Sequence, residues 1–381
     1  MKKTFWNQPE AFTVGLIFLF LNIAFGSWLS RLPEVQRQLQ MSEATLGWVL
    51  LSMPLGSLIS TTFSRRLIAR YETGQLAILT LLCFTGLMIF PPLAGSPELL
   101  FVLLFGVGLT HGILNVSMNT AASAIEDRLQ ARVVSSIHGM YSLGGFIGAL
   151  IGGTFAKAGI ALPLQMIIIF LLAIIIMYTL GKPVWHFKSD ISGERQPMRW
   201  PSRRLLAYMI IGVCIMVGEG AISDWSAIYL SKQLGAGPLI AALGFAGFSA
   251  AMATGRFSGD WIRAHIRTKV LVRNGTFLSF IGLLLVVLVP IQGIAILGFT
   301  LAGIGFATGI PIIFLASGRL TPKNPGIGIA AVANAGLIGF LSAPPAIGIM
   351  AEHFGLNKAM LLVALLALMA SILSQLSFRE S

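Results

Sequence analysis

Twelve apolar runs, each long enough to cross a lipid bilayer as a helix, are the feature that most constrains what this chain can fold into. A helix needs about 20 apolar residues to span the hydrocarbon core. It also satisfies its own backbone hydrogen bonds there. The sequence therefore predicts an all-α membrane protein with twelve transmembrane helices, numbered here as spans 1 to 12. The predicted ranges are 11–30, 44–63, 74–95, 98–123, 133–156, 161–181, 205–231, 237–257, 270–291, 293–316, 326–350 and 356–378.

The composition agrees with a multi-pass membrane protein, since 56% of the 381 residues are hydrophobic and only 10% are charged. A soluble domain has about 25% charged residues. The apolar run after Met1 is too long for a signal peptide and is followed by further spans, so we interpret it as a retained span 1. The two cysteines, Cys83 and Cys214, lie in apolar runs without disulfide or metal spacing. We expect no metal site and no cofactor.

A longer polar segment divides the spans into six and six. The sequence predicts an N-terminal six-helix bundle over 1–181, a cytoplasmic linker over 182–204 and a C-terminal six-helix bundle over 205–381. The halves resemble each other weakly at an offset of about 197 residues, which pairs Asn22 with Glu219. A parallel repeat of this kind is typical of transporters whose pseudo-symmetric halves rock about a central site.

The basic residues indicate the orientation of the chain. If both termini are cytoplasmic, 21 of the 26 Lys and Arg residues lie on the cytoplasmic side. The exceptions are Arg31, Arg37, Lys157, Lys232 and Lys358. The positive-inside rule then places both termini in the cytoplasm. Because the net charge of +12 is spread over short loops and forms no stripe, we expect no nucleic-acid partner.

Span 7 contains two carboxylates, Glu219 and Asp224, in a helix that is otherwise apolar. An ionisable group at that depth is unfavourable and suggests a functional site. Glu219 lies near the midplane, so we predict that it couples protons or binds substrate. Asp224 lies nearer the periplasm, and we predict a periplasmic gate formed with Arg31, Trp28 and Trp225, in which Asp224 pairs with Arg31. The alternatives are a structural ion pair or an exposed helix end for the acids, and interfacial anchoring for the tryptophans.

Polar side chains in other spans extend this predicted site. His111, Asn115 and Asn119 are spaced by four residues and share one face of span 4. They either line a cavity or hydrogen-bond to neighbouring helices. His138 and Asn334 occupy related positions in the two halves, and His138 either shuttles protons or is a neutral bundle histidine. With Asn22 and Glu219, these five residues make up the predicted proton-coupling and substrate site.

The end of span 8 carries a loop motif, Gly255-Arg256-Phe257-Ser258-Gly259-Asp260, followed by Arg263. It resembles the loop motif of the major facilitator superfamily in its second-half copy, although the first-half copy has Phe63 where the acid belongs. The resemblance implies a cytoplasmic gate of Arg256, Asp260 and Arg263. The alternative is a solvated loop whose charges only set the topology. Span 5 resembles an antiporter motif but has Ala149 in place of its proline, which argues against efflux.

Several stretches together are similar to the YbjJ-type bacterial inner-membrane permeases, a branch of that superfamily near the fucose-permease-like sugar transporters. The stretches are His138 to Gly144, Glu219 to Trp225, Gly255 to Gly259, and Pro344 to Gly355. This resemblance covers nearly the whole chain. It implies a central cavity lined mainly by spans 1, 4, 7 and 10, and it supplies no substrate.

We therefore expect a secondary active transporter in the bacterial inner membrane. It would move a small polar organic solute, with sugars among the candidates, by alternating access and with proton coupling. Its partners would be that solute, protons and the lipid bilayer, and we expect a monomer. The alternative is proton-antiport efflux of amphipathic compounds or metabolites. An enzyme is not expected, because no nucleotide loop or zinc motif occurs.

Overall fold

The computed structural model of the chain describes residues 4–189, 202–321 and 325–378. Within these ranges there is no strand, and twelve helices are long and apolar enough to cross a membrane. The prediction of an all-α protein with twelve spans is confirmed. The spans are Pro9–Leu29, Glu43–Arg70, Thr73–Leu93, Pro97–Leu129, Val134–Lys157, Leu162–Leu180, Arg203–Gln233, Pro238–Phe257, Thr268–Leu288, Gln292–Arg319, Gly326–Phe354 and Leu356–Ser377.

Several spans extend beyond their apolar runs. Span 4 continues through a charged turn to Leu129 and ends where Gln130 adopts a left-handed conformation, with φ of 52°. Its first turn is capped by the Ser96 hydroxyl, which accepts a hydrogen bond from the Leu99 backbone amide at 3.2 Å. Counting apolar residues underestimates such helices, because it detects only the part in hydrocarbon.

Four local features were not predicted from the sequence. A short helix, Leu32–Gln38, follows span 1, and another, Gly259–His265, follows span 8. Span 7 ends in a π-helical turn, Tyr229–Gln233. Span 10 is interrupted at residues 307–308, between the helices Gln292–Phe306 and Gly309–Arg319. An apolar run carries no signal for an interruption that leaves hydropathy unchanged.

The start of span 1 and the end of span 12 lie at one face of the bundle, which we call the terminal face, and the other is the opposite face. At the terminal face the Thr13 hydroxyl of span 1 donates a hydrogen bond to the Leu180 carbonyl at the end of span 6, at 2.8 Å. At the opposite face Arg31, just after span 1, donates one to Gln165 at the start of span 6, at 2.9 Å. Spans 1 and 6 are therefore antiparallel and are connected by a hydrogen bond at each face.

The two six-helix bundles meet along two seams, and the seam between spans 5 and 8 is closed from face to face. Near the opposite face Gly153 of span 5 lies against Ala242 of span 8. Near the terminal face Gly139 lies against the Phe257 ring. Small residues allow helices to approach closely in this way.

The seam between spans 2 and 11 is closed only near the opposite face. There Gly47 of span 2 lies against the Pro345 backbone, and Gly348 lies against span 2 as well. Residues 334, 338, 341, 345 and 348 share one face of span 11, because they are three or four residues apart. Towards the terminal face, Asn334 and Ile338 on that face are exposed. The two helices therefore diverge towards the terminal face.

Candidate functional site

Glu219 and Arg256 form an ion pair inside the bundle. The Glu219 Oε2 atom lies 3.6 Å from the Arg256 Nη2 atom, and both side chains are about four-fifths buried. Arg256 also donates a hydrogen bond from Nη1 to the Ser142 hydroxyl, at 2.8 Å. Since Ser142 belongs to span 5 and Glu219 to span 7, the Arg256 side chain links the two halves.

Asn22 of span 1 reaches the same turn of span 5. Its Nδ2 atom donates a hydrogen bond to the Tyr141 carbonyl at 2.9 Å. Asn22 and the Glu219–Arg256 pair therefore meet consecutive residues of span 5, Tyr141 and Ser142. The sequence repeat relates Asn22 to Glu219, and the structure places both beside one turn of helix.

Two buried oxygen atoms at this place are unusual because they accept no hydrogen bond from the described residues. They are Oδ1 of Asn22 and Oε1 of Glu219. Buried polar atoms almost always have a partner, so each such exception calls for an explanation.

His138 lies one turn from Ser142, whose hydroxyl donates a hydrogen bond to the His138 carbonyl at 3.4 Å. The imidazole packs edge-on against the Phe18 ring of span 1, with a centroid distance of 5.2 Å. The structure thus groups Asn22, His138, Glu219 and Arg256 around one part of span 5. We call these four residues the central cluster.

The polar stripe of span 4 is not part of the central cluster. The Nδ1 atom of His111 lies 3.1 Å from the Ser57 hydroxyl of span 2, and its ring lies 5.9 Å from the Phe84 ring of span 3. Asn119 donates a hydrogen bond to the Asn115 carbonyl of its own helix, at 2.8 Å. Of the three residues, only His111 bonds to a neighbouring helix within the described part of the chain, which agrees with the alternative interpretation for that residue; a cavity-lining role for Asn115 and Asn119 stays a prediction.

Asn334 also lies apart from the central cluster. It is exposed on the face of span 11 that turns towards span 2. Its counterpart in the repeat, His138, packs inside the first bundle. The two positions are therefore related in sequence but differ in environment, because the seam between spans 2 and 11 is open there.

The predicted pairing of Arg31 with Asp224 is wrong. Arg31 is buried and bonds within its own half, with its Nε atom 2.5 Å from Glu34 and its Nη1 atom 2.9 Å from Gln165. Its Nη2 atom also donates to the Ile160 carbonyl, at 3.1 Å. Arg31 pairs with Glu34 because Glu34 follows it by three residues at the start of a helix. The two side chains therefore meet without any contact between the bundles.

The other predicted gate residues are buried. Trp28 and Trp225 are 1% and 0% exposed, so they do not anchor the chain at the membrane interface, and their role in a gate stays a prediction. Asp224 is also buried, and its carboxylate has no hydrogen bond or ion pair to the part of the chain that the structure describes. Its role as a gate residue stays a prediction.

Of the predicted gate residues Arg256, Asp260 and Arg263, the structure places Arg256 differently from the prediction. The Arg256 side chain points into the bundle, and its backbone carbonyl accepts a hydrogen bond from the Ser135 hydroxyl at 2.7 Å. Arg256 therefore belongs both to the seam between spans 5 and 8 and to the central cluster. Arg263 donates a hydrogen bond to the Gly259 carbonyl of its own short helix at 3.3 Å. The Asp260 side chain lies outside the described residues.

Two polar contacts close the opposite face, and sequence reasoning missed both. Lys232 of span 7 lies 2.8 Å from the Glu43 carboxylate of span 2. Glu352 of span 11 accepts hydrogen bonds from the Ser42 hydroxyl at 2.5 Å and from the Ala44 amide at 2.8 Å. A carboxylate is well placed at a helix N-terminus. No sequence signal links these residues, because each contact joins segments that are far apart in the chain.

Among the described residues no group of three or more potential ligands could hold a metal ion. The central cluster itself brings together one carboxylate, one guanidinium, one amide and one imidazole. Such groups can exchange a proton and can form hydrogen bonds with the hydroxyl or amide groups of a solute.

Comparison with known proteins identifies relatives over most of the chain. The family model described as Major Facilitator Superfamily matches residues 11–333. An uncharacterised MFS-type transporter of Yersinia pestis is 30% identical over 365 residues, which are 93% of this chain and 92% of that protein. The membrane protein MosC of Rhizobium meliloti is 28% identical, over 92% of this chain and 86% of that protein.

Solved structures share the fold at low identity. A bacterial homologue of the human lysosomal transporter Spinster, in an inward-facing and occupied conformation, has a TM-score of 0.74 and 14% identity, over 96% of this chain and 95% of that one. A point mutant of the nucleoside transporter NupG has a TM-score of 0.72 and 13% identity, over 97% and 99%. A point mutant of the E. coli fucose:proton symporter FucP has a TM-score of 0.65 and 16% identity, over 98% and 99%.

Proposed function

Because this chain belongs to the major facilitator superfamily and is a multi-pass membrane transporter, we propose that it moves a small polar organic solute, such as a sugar, together with protons. The observation that carries the proposal is the Glu219–Arg256 pair, which lies inside the bundle and is bonded to Ser142 of the other half. A buried ionisable group in a transporter is characteristic of a proton or substrate path.

The pair suggests how a proton could be coupled to transport. An ionised Glu219 is compensated by Arg256, whereas a protonated Glu219 no longer attracts it. Arg256 would then interact more with Ser142 and less with span 7. A proton on one carboxyl group would thus change how the second half is held against the first. The two halves must move relative to each other during alternating access.

The hydrogen-bonding groups of the cluster fit a neutral polar solute. Asn22 and Glu219 offer buried oxygen atoms as acceptors, and Arg256 offers donors. Hydroxyl groups both donate and accept, so a sugar could satisfy both kinds of atom. The names of similar structures, a nucleoside transporter and a fucose:proton symporter, support a solute of this class.

We further propose that the terminal face is cytoplasmic in a bacterial inner membrane, as the distribution of basic residues predicts. In that orientation the open seam between spans 2 and 11 faces the cytoplasm. We also propose that residues 182–204 form the linker between the two six-helix bundles, and that the protein is a monomer.

Proton-driven flux tests the proposal. A solute screen by thermal shift on the purified protein selects the substrate, whose accumulation is then followed in proteoliposomes under an imposed pH gradient. We expect Glu219→Gln to abolish accumulation driven by the gradient, while solute exchange without net proton movement continues. Glu98→Gln, which alters an exposed acid at the start of span 4, is the control and should resemble the wild type.

Two outcomes would contradict the proposal. One is wild-type accumulation by Glu219→Gln under the same gradient, which would remove this carboxyl group from coupling. The other is solute movement only in exchange for protons moving the opposite way, which would favour the antiport alternative.

A further inference from the structure

A cavity of about 340 Å³ opens at the terminal face of the second bundle, away from the central cluster. It lies between the starts of spans 7 and 9 and the ends of spans 10 and 12. Five basic side chains from these segments line it, and none of the other lining residues is acidic. The basic residues are Arg204, Arg267, Lys269, Arg273 and Arg319.

The positive charge in this cavity is not neutralised by the described part of the chain. None of the five side chains belongs to an ion pair there. Arg273 is held in place by the side-chain oxygens of Gln375 and Asn274, each at 2.9 Å. Both acceptors are neutral, so they orient the guanidinium without compensating its charge.

The backbone adds to the positive electrostatic potential of the cavity. Thr268, Lys269 and Val270 line the cavity and form the first turn of span 9, a 21-residue helix. The first amide groups of a helix lack partners within the helix and favour an anion. A site that combines these amides with arginine side chains suits the tetrahedral oxygens of a phosphate group.

The topology of the membrane does not explain this arrangement. The positive-inside rule accounts for basic residues at a face, but not for their convergence from three spans, 7, 9 and 10, on one cavity. In the first bundle, two of the basic residues at the same face have partners of their own. Arg128 there forms an ion pair with Glu10, and Arg70 lies over the Tyr71 ring at 5.8 Å.

The cavity also has an apolar wall, formed by Leu315, Leu320 and the rings of Tyr208 and Phe378, whose centroids are 4.9 Å apart. We propose that this cavity binds the phosphate group of a phosphate ester, carried either by an anionic phospholipid or by a soluble phosphorylated metabolite. The phosphate lies among the five basic side chains, and an apolar portion lies against the wall. This site is independent of the proposed transport site.

Binding to the purified full-length protein tests the proposal. Native mass spectrometry in detergent would follow titrations with phosphatidylglycerol, phosphatidylcholine and glycerol 3-phosphate. We expect phosphatidylglycerol or glycerol 3-phosphate to bind, and Arg273→Gln/Arg319→Gln to weaken that binding roughly tenfold or more, since a basic residue contributes about 1 kcal/mol to such attraction. Arg65→Gln/Arg70→Gln removes the same charge from the first bundle and should leave binding unchanged.

The source of the phosphate follows from which probe binds. Binding of phosphatidylglycerol that glycerol 3-phosphate does not displace identifies a lipid site, and binding of glycerol 3-phosphate identifies a site for soluble esters. The proposal is overturned if neither probe binds more strongly than phosphatidylcholine, or if both double variants lose binding equally. Lys269→Gln, a single change of a half-exposed side chain, provides the same comparison if the double variant does not fold.

Discussion

Glu219 and Arg256 are 3.6 Å apart in a chain with only 10% charged residues. Both side chains are largely withdrawn from water, so their interaction is less screened than that of a surface pair. Removal of one partner leaves the other charge partly buried and unpaired, which is the main reason such substitutions destabilise a protein. The two residues should therefore behave as a unit.

A double-mutant cycle measures this coupling. We expect the effects of Glu219→Gln and Arg256→Gln on the free energy of unfolding to be non-additive by about 0.5–3 kcal/mol. Chemical unfolding in detergent supplies the values. The combination of Asp224→Asn with Arg256→Gln is the control and should be additive, because the structure forms no bond between these two. Additivity in both cycles would mean that the Glu219–Arg256 contact contributes no coupling free energy to stability.

Arg31 gives a second test at the residue scale. Its guanidinium bonds with Glu34, Gln165 and the Ile160 carbonyl, all in the first bundle. We expect Arg31→Gln and Asp224→Asn to have additive effects on stability and transport. Arg31→Gln and Gln165→Leu should instead be coupled by at least about 0.5 kcal/mol, since they share a buried hydrogen bond. Non-additive effects of Arg31→Gln and Asp224→Asn would instead support the pairing of these two residues and contradict the contacts of Arg31 in the structure.

At the scale of helices, spans 1, 5 and 8 cross at Gly145. A Cβ atom on Gly145 would lie 2.7 Å from the Asn22 Nδ2 atom and 2.9 Å from the Ser249 hydroxyl. Both distances are below van der Waals contact, so alanine would displace the Asn22 amide from the Tyr141 carbonyl or turn the Ser249 hydroxyl away. The glycine therefore leaves the room that these two polar side chains occupy beside the central cluster.

Replacement of this glycine has a matched control in span 4. We expect Gly145→Ala to lower the free energy of unfolding by about 1–3 kcal/mol through overpacking and to slow solute flux. Gly106→Ala should be neutral or stabilising by up to about 1 kcal/mol, because nothing lies within 4 Å of its Cβ position and alanine favours a helix. Equal effects of the two changes would show that the crossing is not tightly packed.

At the scale of the whole molecule, the two seams differ. The seam between spans 5 and 8 is closed throughout, and Arg256 contributes to it through Ser135 and Ser142. The seam between spans 2 and 11 is closed near the opposite face, where Glu352 caps span 2. It opens towards the terminal face, so access to the interior from that face should follow span 11.

Cysteine labelling tests this asymmetry in a background with Cys83→Ser and Cys214→Ala. We expect Asn334→Cys to react with a membrane-impermeant thiol reagent added from the terminal face. Ile347→Cys should not react, because Ile347 is only 1% exposed. Everted vesicles present the terminal face if it is cytoplasmic. Labelling of Ile347→Cys, or protection of Asn334→Cys, would contradict the open seam.

The number and type of spans followed from the sequence, because hydrophobic length alone decides whether a helix crosses a bilayer. The resemblance to the major facilitator superfamily could also be inferred from the sequence, since it rests on local motifs. The repeat placed Asn22 and Glu219 at related positions, and both lie beside span 5 in the structure. These features depend on local composition and spacing.

The partners of each polar residue were decided only by the tertiary structure. Hydropathy indicates the depth of a side chain but not the neighbour towards which it turns, and that direction depends on helix packing. Arg256, which the sequence assigned to a loop motif, is therefore the partner of Glu219 in the structure. Arg31 bonds with Glu34, and His111 bonds with Ser57. The basic cavity likewise exists only because four spans end at one place. Local sequence fixes which segments enter the membrane, and packing between distant segments decides which of their side chains meet.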